Sequence, residues 1–424
     1  MTTFYCYTIL IFTSSDSQDK TNMNIETVSD EALVNLIRSA LATQADITEE
    51  RPPDSDDFKD HLPISLNVLS DLLSKPIKNL SETVLQSLLI LCSEHCSCSS
   101  RYSRVWSSVL HQEKAHQLLE VISQDYGKSI SVLLTENDCM RLKSIFSYLQ
   151  PKLEHFMKNP SSIHAVTWLT QQVPHPHLGQ LVPRLLPLVL NLTDCWLPYY
   201  KISGCDLIQH IVTSSPASEL MFYGRAELLS DAMFRLLSHT DPGVVRAASG
   251  PLLVVTRTRH GDSHPPATPG PGDILMKEVI TRLDMCSDHE ARAVYCDMME
   301  ATVTMLGVGV ARWVSRLCEV ITSQLDISPP ASVFRTVSTL THVCPQCVAR
   351  EVAVLLPALV KYQYQVSWHQ DQDTDLARLA SVCTDQVSTC DIEATRTLCH
   401  DLKSVTPVND SFDSLVEKLL IKVS

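Results

Sequence analysis

The chain has 424 residues, of which 48 are acidic and 34 are basic, so its formal net charge is −14. Nonspecific binding to nucleic acid or to an anionic membrane requires a basic surface, and this composition argues against both kinds of partner. Only 11 glycines occur while leucine, valine, alanine and serine are abundant, which favours helices over strands joined by tight turns.

The N-terminal residues are expected to lie outside the fold. The apolar segment 4–12 has nine residues, too few to span a bilayer, and no lysine or arginine precedes it as one would in a signal peptide. We therefore expect residues 1–23 to form a disordered leader. Residues 24–61 are predicted to hold one helix, opening at Ser29, and then an acidic linker that contains Pro52.

Two stretches of predicted helices follow. Residues 62–173 contain short, irregular helical repeats, and residues 174–424 contain a more regular succession of HEAT-like helix pairs. Segment 260–273 is rich in proline and glycine and interrupts the second stretch. We expect it to be an exposed, mobile insertion that is dispensable for folding. A final helix near 411–422 presents one apolar face, as the terminal unit of an array requires.

A basic residue recurs at the start of predicted helices in the second stretch. The positions, 45, 46, 43 and 43 residues apart, are Lys201, Arg246, Arg292, Arg335 and Arg378. Periods of about 40–47 residues with paired helices are typical of HEAT and armadillo arrays. The sequence therefore predicts an all-α, HEAT/armadillo-like helical-repeat solenoid, in which this basic ladder bonds to acids or carbonyls of neighbouring repeats. The expected acidic partners are Asp241, Asp288 and Asp375.

Two cysteine-containing segments are candidates for chemistry. The segment CSEHCSC offers Cys92, His95, Cys96 and Cys98. Zinc sites commonly pair two such ligand sets, and no second set follows at the required distance. Cys344 and Cys347 resemble a redox C-x-x-C pair but lack the strand context of one. P-loop, H-E-x-x-H and G-x-S-x-G motifs are absent from the sequence, so we predict no catalytic, cofactor-binding or metal-binding residue and no enzyme activity.

The remaining cysteines and one aromatic turn bear on location and binding. Most of the 15 cysteines fall on predicted apolar faces, which fits a reducing compartment, the cytoplasm or nucleus.

Trp196, Tyr199 and Tyr200 lie close together in an aromatic-poor chain. Such rings are enriched at binding hot spots, but they also fill the wedge between stacked repeats, and both roles stay open. With the nearby Tyr223 and Arg225, they are the candidate partner-binding residues.

Residues 175–237 resemble the core of the Tel-two-interacting protein two family. The residues that match the family pattern are Pro183, Pro187, Asp194, Gly204, Leu207, His210, Ile211, Pro216, Leu220, Tyr223, Arg225 and Ala226. The match covers about sixty residues. Thr193 stands where the family tends to have an acid, and Gly224 where it tends to have asparagine.

This resemblance implies a non-enzymatic, α-helical subunit of the three-member TTT co-chaperone assembly. Its implied partners are Tel-two-like and Tti-one-like subunits, the heat-shock-ninety chaperone machinery and the phosphatidylinositol-three-kinase-related kinases that the assembly matures. The family carries no catalytic residues, which agrees with the empty motif search. Residue patterns alone leave an alternative open, a general HEAT-repeat adaptor such as a nuclear transport or phosphatase scaffold.

Overall fold

The computed structural model is helical throughout the part of the chain that it describes. That part comprises residues 29–42, 54–74, 80–96, 104–261, 268–368, 374–405 and 410–423. Within these ranges the elements are α-helices and short 3-10 helices, without a strand, which confirms the predicted all-α class. The leader at 1–23 lies outside them. The fold divides into two compact units, Met1–Val173 and Pro174–Ser424.

The first unit contains six α-helices within its described residues, together with two 3-10 helices. The α-helices are α1 (Asp30–Ser39), α2 (His61–Leu73), α3 (Glu82–His95), α4 (Val109–Tyr126), α5 (Ile130–Glu154) and α6 (Pro160–Gln171). The 3-10 helices are Ser55–Phe58 and Phe156–Lys158. Non-helical backbone angles from Glu136 to Cys139 break α5 into two parts.

Helix α3 is the centre of this unit, because α1, α4 and α6 pack around it. Its apolar residues are buried on several sides, so it lacks the solvent-facing stripe of an amphipathic surface helix. Glu94 near its end is also fully buried. The Glu94 carboxylate accepts hydrogen bonds from the backbone N–H of Ala42 at 3.0 Å and from the Ser161 hydroxyl at 3.2 Å. One buried side chain thus joins the end of α1 to α6.

The second unit contains fourteen α-helices and one 3-10 helix in its described residues. The α-helices are α7 (Leu178–Asp194), α8 (Pro198–Ser214), α9 (Ala217–Phe222), α10 (Arg225–Leu236), α11 (Pro242–His260), α12 (Pro271–Met285), α13 (His289–Leu306), α14 (Val314–Leu325), α15 (Ala331–Val343), α16 (Pro345–Arg350), α17 (Val352–Trp368), α18 (Thr374–Cys390), α19 (Ile392–Val405) and α20 (Asp410–Val423). The 3-10 helix is Gly307–Trp313.

Two layers of helices build the second unit. Helices α8, α11, α13, α15 and α18 form layer B, in which each packs against the next. Helices α7, α10, α12 and α17 of layer A each pair with the layer B helix that follows in sequence, whereas α14 packs mainly against α17. Short turns connect the helices of a pair, so each pair is antiparallel. Stacked helix pairs of this kind are the predicted HEAT/armadillo-like architecture.

Local sequence explains where several layer B helices begin. Asp241 precedes Pro242 at the first position of α11, and its carboxylate accepts a hydrogen bond from the Gly243 N–H at 2.7 Å. Asp288 caps α13 in the same manner through the Ala291 N–H at 2.8 Å. A capping aspartate satisfies an otherwise unpaired N–H and suits the positive end of the helix dipole. The polar turns between paired helices therefore fix the start of each new helix.

The structure corrects the predicted insertion at 260–273. Helix α11 continues to His260 and α12 begins at Pro271, so both ends of the segment are helical. Asp273 is buried and central to this region. Its carboxylate accepts hydrogen bonds from the Gly270 N–H and the Trp313 indole N–H, both at 2.7 Å, and lies 3.4 Å from the Arg312 guanidinium. The end of the segment that holds Gly270 and Asp273 is therefore part of the fold, and residues 262–267 lie outside the described ranges.

The stretch from α13 to α14 is apolar because it belongs to the core of the array. By length and composition His289–Leu325 resembles a membrane-spanning helix, but the 3-10 helix interrupts it, and 56% of its most apolar window is buried. At the C-terminal end, α20 packs against α17, α18 and α19. It buries Phe412, Val416 and Leu419, as expected of the helix that closes an array.

Candidate partner-binding surfaces

The aromatic turn between α7 and α8 separates one exposed ring from one buried ring. Trp196 is 50% exposed, whereas Tyr200 is fully buried and burial raises the pKa of its phenol. Tyr199 is half-buried and meets Tyr200 edge to face, with 5.0 Å between ring centroids. The expectation that Tyr200 contacts a partner is therefore wrong, because this ring belongs to the core. Only Trp196 presents a large aromatic surface here.

Polar contacts on both sides hold this turn in place. The Lys201 ammonium donates a hydrogen bond to the backbone carbonyl of Thr193 at 2.9 Å, closing the end of α7 against the start of α8. Arg235 at the end of α10 pairs with Asp194 at 3.1 Å. Both side chains of that pair are exposed, so solvent weakens their attraction. Trp196 is consequently presented on a well-anchored turn.

A second exposed aromatic group lies on α9, the short helix between α8 and α10. Leu220 anchors α9 in the core, while Phe222 is 82% exposed and Tyr223 is 63% exposed. The two rings meet edge to face with 5.0 Å between their centroids. The Arg225 guanidinium carbon lies 4.4 Å from the centroid of the Tyr223 ring, within the range of a cation–π contact. We call Phe222, Tyr223 and Arg225 the α9 anchor.

Gly224 explains the sharp turn that presents the α9 anchor. Its φ of +65° lies in the left-handed region, which glycine adopts without steric cost. The chain can therefore end α9 and begin α10 with only Tyr223 and Gly224 between them. The family that this region resembles tends to have asparagine at this position. Among residues other than glycine, asparagine is one of the few that adopt this conformation readily. Gly224 thus fulfils the backbone requirement of the turn.

The α9 anchor and Trp196 are at opposite ends of α8. Trp196 precedes the first residue of α8, and α9 follows its last residue. A helix of 17 residues is about 25 Å long at 1.5 Å per residue. The five sequence candidates therefore do not form one surface. They provide one exposed ring at the turn edge of the array and Tyr223 with Arg225 at the other edge, where Phe222 adds a ring that the sequence did not single out.

The basic ladder marks the helical register, as its regular spacing indicates. Each ladder residue is the fourth or fifth residue of a layer B helix. Arg335 joins α15 to Glu300 of α13, the neighbouring layer B helix. Arg292 donates a hydrogen bond to the Cys286 carbonyl at 2.8 Å in the turn before its own helix.

The remaining ladder residues depart from the expected bonding. Arg246 and Arg378 are exposed, and neither forms an ion pair with any residue in the described ranges. Asp241 and Asp288 cap helices, so the prediction that these acids bind the ladder arginines is wrong. The ladder shares a position in each repeat but has no common bonding pattern.

The cysteine and histidine segment at the end of α3 is buried in the first unit. Cys92, His95 and Cys96 are all fully buried, and Cys98 lies outside the described residues. Burial raises the pKa of the Cys92 thiol, which disfavours the thiolate that binds metals. No set of three potential metal ligands occurs in the described part of the chain.

Imidazole packing around His95 is a feature that the sequence did not reveal. The His95 ring lies 4.9 Å from the His111 ring and 6.4 Å from the His61 ring, measured between centroids. Burial lowers the pKa of His95 and, to about 4, the pKa of His61. These rings are therefore neutral members of a core at neutral pH. Their positions at 61, 95 and 111 show no spacing that predicts the contact.

The C-x-x-C pair likewise lacks the environment of a redox site. Cys344 is buried, and its thiol lies 3.9 Å from the Val308 carbonyl. Burial raises the pKa of Cys344, so the thiol form is favoured. Both Cys344 and Cys347 are free cysteines that frame the start of α16. A structural role in the helix connection agrees with this geometry.

Comparison with known proteins agrees with the family resemblance. Residues 143–330 match the sequence model of the Tti2 family. The human protein named TELO2-interacting protein 2 is 30% identical over 275 residues, which cover 60% of this chain and 54% of the human protein. The rat protein of that name is 28% identical over 298 residues, 66% of this chain and 58% of the rat protein. The predicted resemblance is confirmed, and the chain spans little more than half the length of these relatives.

Solved structures similar to this chain include two helical proteins. An engineered protein aligns over 95% of this chain and 96% of its own length, with 12% identity and a TM-score of 0.47. SYS-1 aligns over 94% of this chain and 87% of its own length, with 11% identity and a TM-score of 0.39.

Proposed function

We propose that this chain, given its match to the Tti2 family, is a non-enzymatic scaffold subunit of a TTT-type co-chaperone complex. The observation that carries the proposal is the family match over residues 143–330. That region includes α7 to α13, and so both Trp196 and the α9 anchor. The relatives are named for an interaction with TELO2. A Tel-two-like protein is therefore the first partner that we propose for this chain.

The architecture supports binding along an extended surface. In stacked helix pairs, each helix fixes the position of its neighbours, so the array holds turns and short helices in defined places. Exposed aromatic rings on such turns form a binding surface without a large ordering cost. Tyr and Trp side chains contribute disproportionately to interface energy. Trp196 and Tyr223 are the exposed residues of those types near the family core.

The cellular role that we propose follows from the family resemblance. The chain would join Tel-two-like and Tti-one-like subunits, and the assembly would act with the heat-shock-ninety system on phosphatidylinositol-three-kinase-related kinases. Its sites of action would be the cytoplasm and the nucleus. A scaffold requires no cofactor, so the proposal assigns binding residues and no catalytic group.

Affinity purification of the tagged full chain from its own cells, followed by mass spectrometry, tests the proposal. We expect Tel-two-like and Tti-one-like subunits in near-stoichiometric amounts, with chaperone components and large kinases at lower levels. Recovery of nuclear import factors or phosphatase subunits in their place would favour the general HEAT-repeat adaptor. A tagged variant of the same chain that lacks 178–306, the α7 to α13 segment, is the matched negative control.

Depletion tests the proposed action on kinases. Kinases that depend on the assembly for maturation should fall in steady-state level over the days that follow loss of the protein, while their transcripts stay constant. Restoring the wild-type chain should restore the kinase levels. Unchanged kinase levels, in cells where the subunit interaction is intact, would contradict the maturation role and leave the scaffold role standing.

A further inference from the structure

The α9 anchor has the organisation of a preformed binding feature. Phe222 and Tyr223 are the two most exposed aromatic residues in the described part of the chain. Their edge-to-face contact and the Arg225 guanidinium beside Tyr223 restrict side chains that would otherwise sample several rotamers. Ordering such side chains on binding costs about 0.5–1.5 kcal/mol each when they are free. In the α9 anchor these side chains are already partly ordered in the unbound protein, so binding would cost less conformational entropy.

A positive charge lies against these rings, although the chain as a whole has a net charge of −14. Arg225 forms the cation–π contact and no ion pair with a described residue. Arg259 near the end of α11 donates a hydrogen bond to Ser230 at 3.0 Å and lies 3.9 Å from Glu227, and both of these residues belong to α10.

The nearby carboxylates leave this charge largely uncompensated. Glu227 faces Arg259 at a distance too long for a strong hydrogen bond. Glu219, the acid of α9, lies against Gly179 at the start of α7, on the side of α9 that faces the array. The Arg225 guanidinium thus forms its cation–π contact without a carboxylate partner among the described residues. A guanidinium beside an aromatic ring still binds carboxylate, because its N–H groups lie in the plane of the fork.

We infer that the α9 anchor, Phe222, Tyr223 and Arg225, docks a protein partner that offers an apolar pocket bordered by carboxylates. This inference deepens the proposed function and rests on it. The pocket would cover the exposed Phe222 and Tyr223 rings, and a carboxylate of the partner would pair with Arg225. Removing the rings from water supplies affinity, while the charges supply the rate and specificity of association.

The test measures binding of the full chain to purified Tel-two-like and Tti-one-like subunits at low and at high salt. The double variant Phe222→Ala/Tyr223→Ala should weaken binding by about tenfold or more at both salt concentrations, since hot-spot truncations have effects of this size. Arg225→Glu should slow association and flatten its salt dependence. Met285→Ala, which removes another large exposed apolar side chain at the end of α12, is the matched control and should bind with wild-type affinity, whereas Trp196→Ala reports on the turn edge at the opposite end of α8.

Each variant should unfold at the wild-type temperature, because Phe222 and Tyr223 are exposed and Arg225 is partly exposed. Thermal unfolding of each variant identifies any protein whose weak binding results from a loss of folding, and such a variant is left out of the comparison. A photo-crosslinking residue placed at Phe222 provides the second readout and should attach to a partner peptide rich in Asp and Glu.

Two outcomes separate this inference from the proposed function. If Trp196→Ala abolishes binding while the double alanine variant binds normally, the docking surface is the turn edge, and the α9 inference is overturned. Normal binding by all variants, or a crosslink to a basic peptide, overturns it too. If the wild-type chain fails to bind these subunits, the proposed function itself fails.

Discussion

Arg335 on α15 donates from its Nε to both carboxylate oxygens of Glu300 on α13, at 2.8 Å and 2.9 Å. The pair connects consecutive layer B helices, so a basic residue that the sequence identifies by spacing does bridge two repeats. Half of the Arg335 side chain remains exposed, however, and solvent screens the attraction. Exposed ion pairs of this kind contribute about 0.2–1 kcal/mol, less than a buried charge-assisted bond.

Arg335→Ala should therefore lower the free energy of unfolding by less than about 1 kcal/mol at low salt. The difference from wild type should shrink at high salt, where screening weakens the pair. Urea titrations at two salt concentrations measure both effects. Arg246→Ala is the matched control, because Arg246 occupies the same helical position without an ion pair in the described structure, and it should leave stability unchanged. Equal losses in the two variants would refute a contribution from the pair.

Tyr200 and Trp196 should respond differently to substitution. Tyr200→Ala removes a fully buried ring and should destabilise the protein by about 3–5 kcal/mol, as other large-to-small aromatic substitutions do. Trp196→Ala should change stability by no more than about 0.5 kcal/mol, because half of its ring already faces solvent. Thermal unfolding followed by circular dichroism distinguishes them. A larger effect at Trp196 would mean that this ring packs in the core in solution.

The first unit should lose stability as the pH falls below about 6.5. Burial lowers the pKa values of His61 and His164 to about 4, so these rings stay neutral in the folded protein while the unfolded chain binds protons. Stability is then fully present above the unfolded pKa and decreases as the pH falls toward about 4. Each histidine could account for about 2–3 kcal/mol over this range.

Urea unfolding of the wild type and of His61→Gln, at one pH above and one pH below about 6.5, tests this prediction. The glutamine variant cannot titrate, so its stability should differ less between the two conditions, whatever its stability at neutral pH. Burial raises the pKa of Glu94, and that carboxyl opposes the histidines. The contribution of His61 is therefore the difference in pH dependence between the wild type and His61→Gln. An identical pH dependence of stability in both proteins would contradict a contribution from His61.

The connection between α11 and α12 should tolerate replacement of its middle residues but not of the whole segment 260–273. Exchanging only 262–267 for a Gly-Ser linker of equal length should keep the unfolding temperature, since closure entropy changes slowly with loop sequence and length. Exchanging 260–273 removes Asp273 and leaves the Trp313 indole N–H without its acceptor. A fully buried donor without a partner costs about 1–3 kcal/mol, and the cost for the partly buried Trp313 indole should lie toward the lower end of this range. Differential scanning calorimetry of the two variants should show early unfolding only in the longer exchange.

Asp273→Asn separates the carboxylate from the rest of that segment. The amide oxygen can still accept from Trp313, but the charge opposite Arg312 is lost. We expect an intermediate loss of stability, smaller than that of the 260–273 exchange. Wild-type stability in both Asp273→Asn and the longer exchange would restore the view that the whole insertion is dispensable.

The amino-acid sequence by itself determined the class of fold and the register of the array. Helix formation depends on the spacing of apolar residues and on caps such as Asp241 and Pro242, which act within one or two turns of the chain. The regular spacing of Lys201, Arg246 and the later ladder residues reflects the length of one helix pair. The sequence therefore shows this spacing without any knowledge of tertiary contacts. The family resemblance also needed only the linear pattern.

Tertiary packing decided which of these residues meet solvent and which meet one another. Tyr200 and Trp196 are four residues apart in similar sequence context, but the neighbouring helices cover only Tyr200. His61 and His95 become neighbours through the packing of the first unit, and Asp273 becomes a core acceptor only because Trp313 returns to it forty residues later. Burial and long-range contact depend on how helices distant in sequence pack, and local periodicity carries no information about that choice.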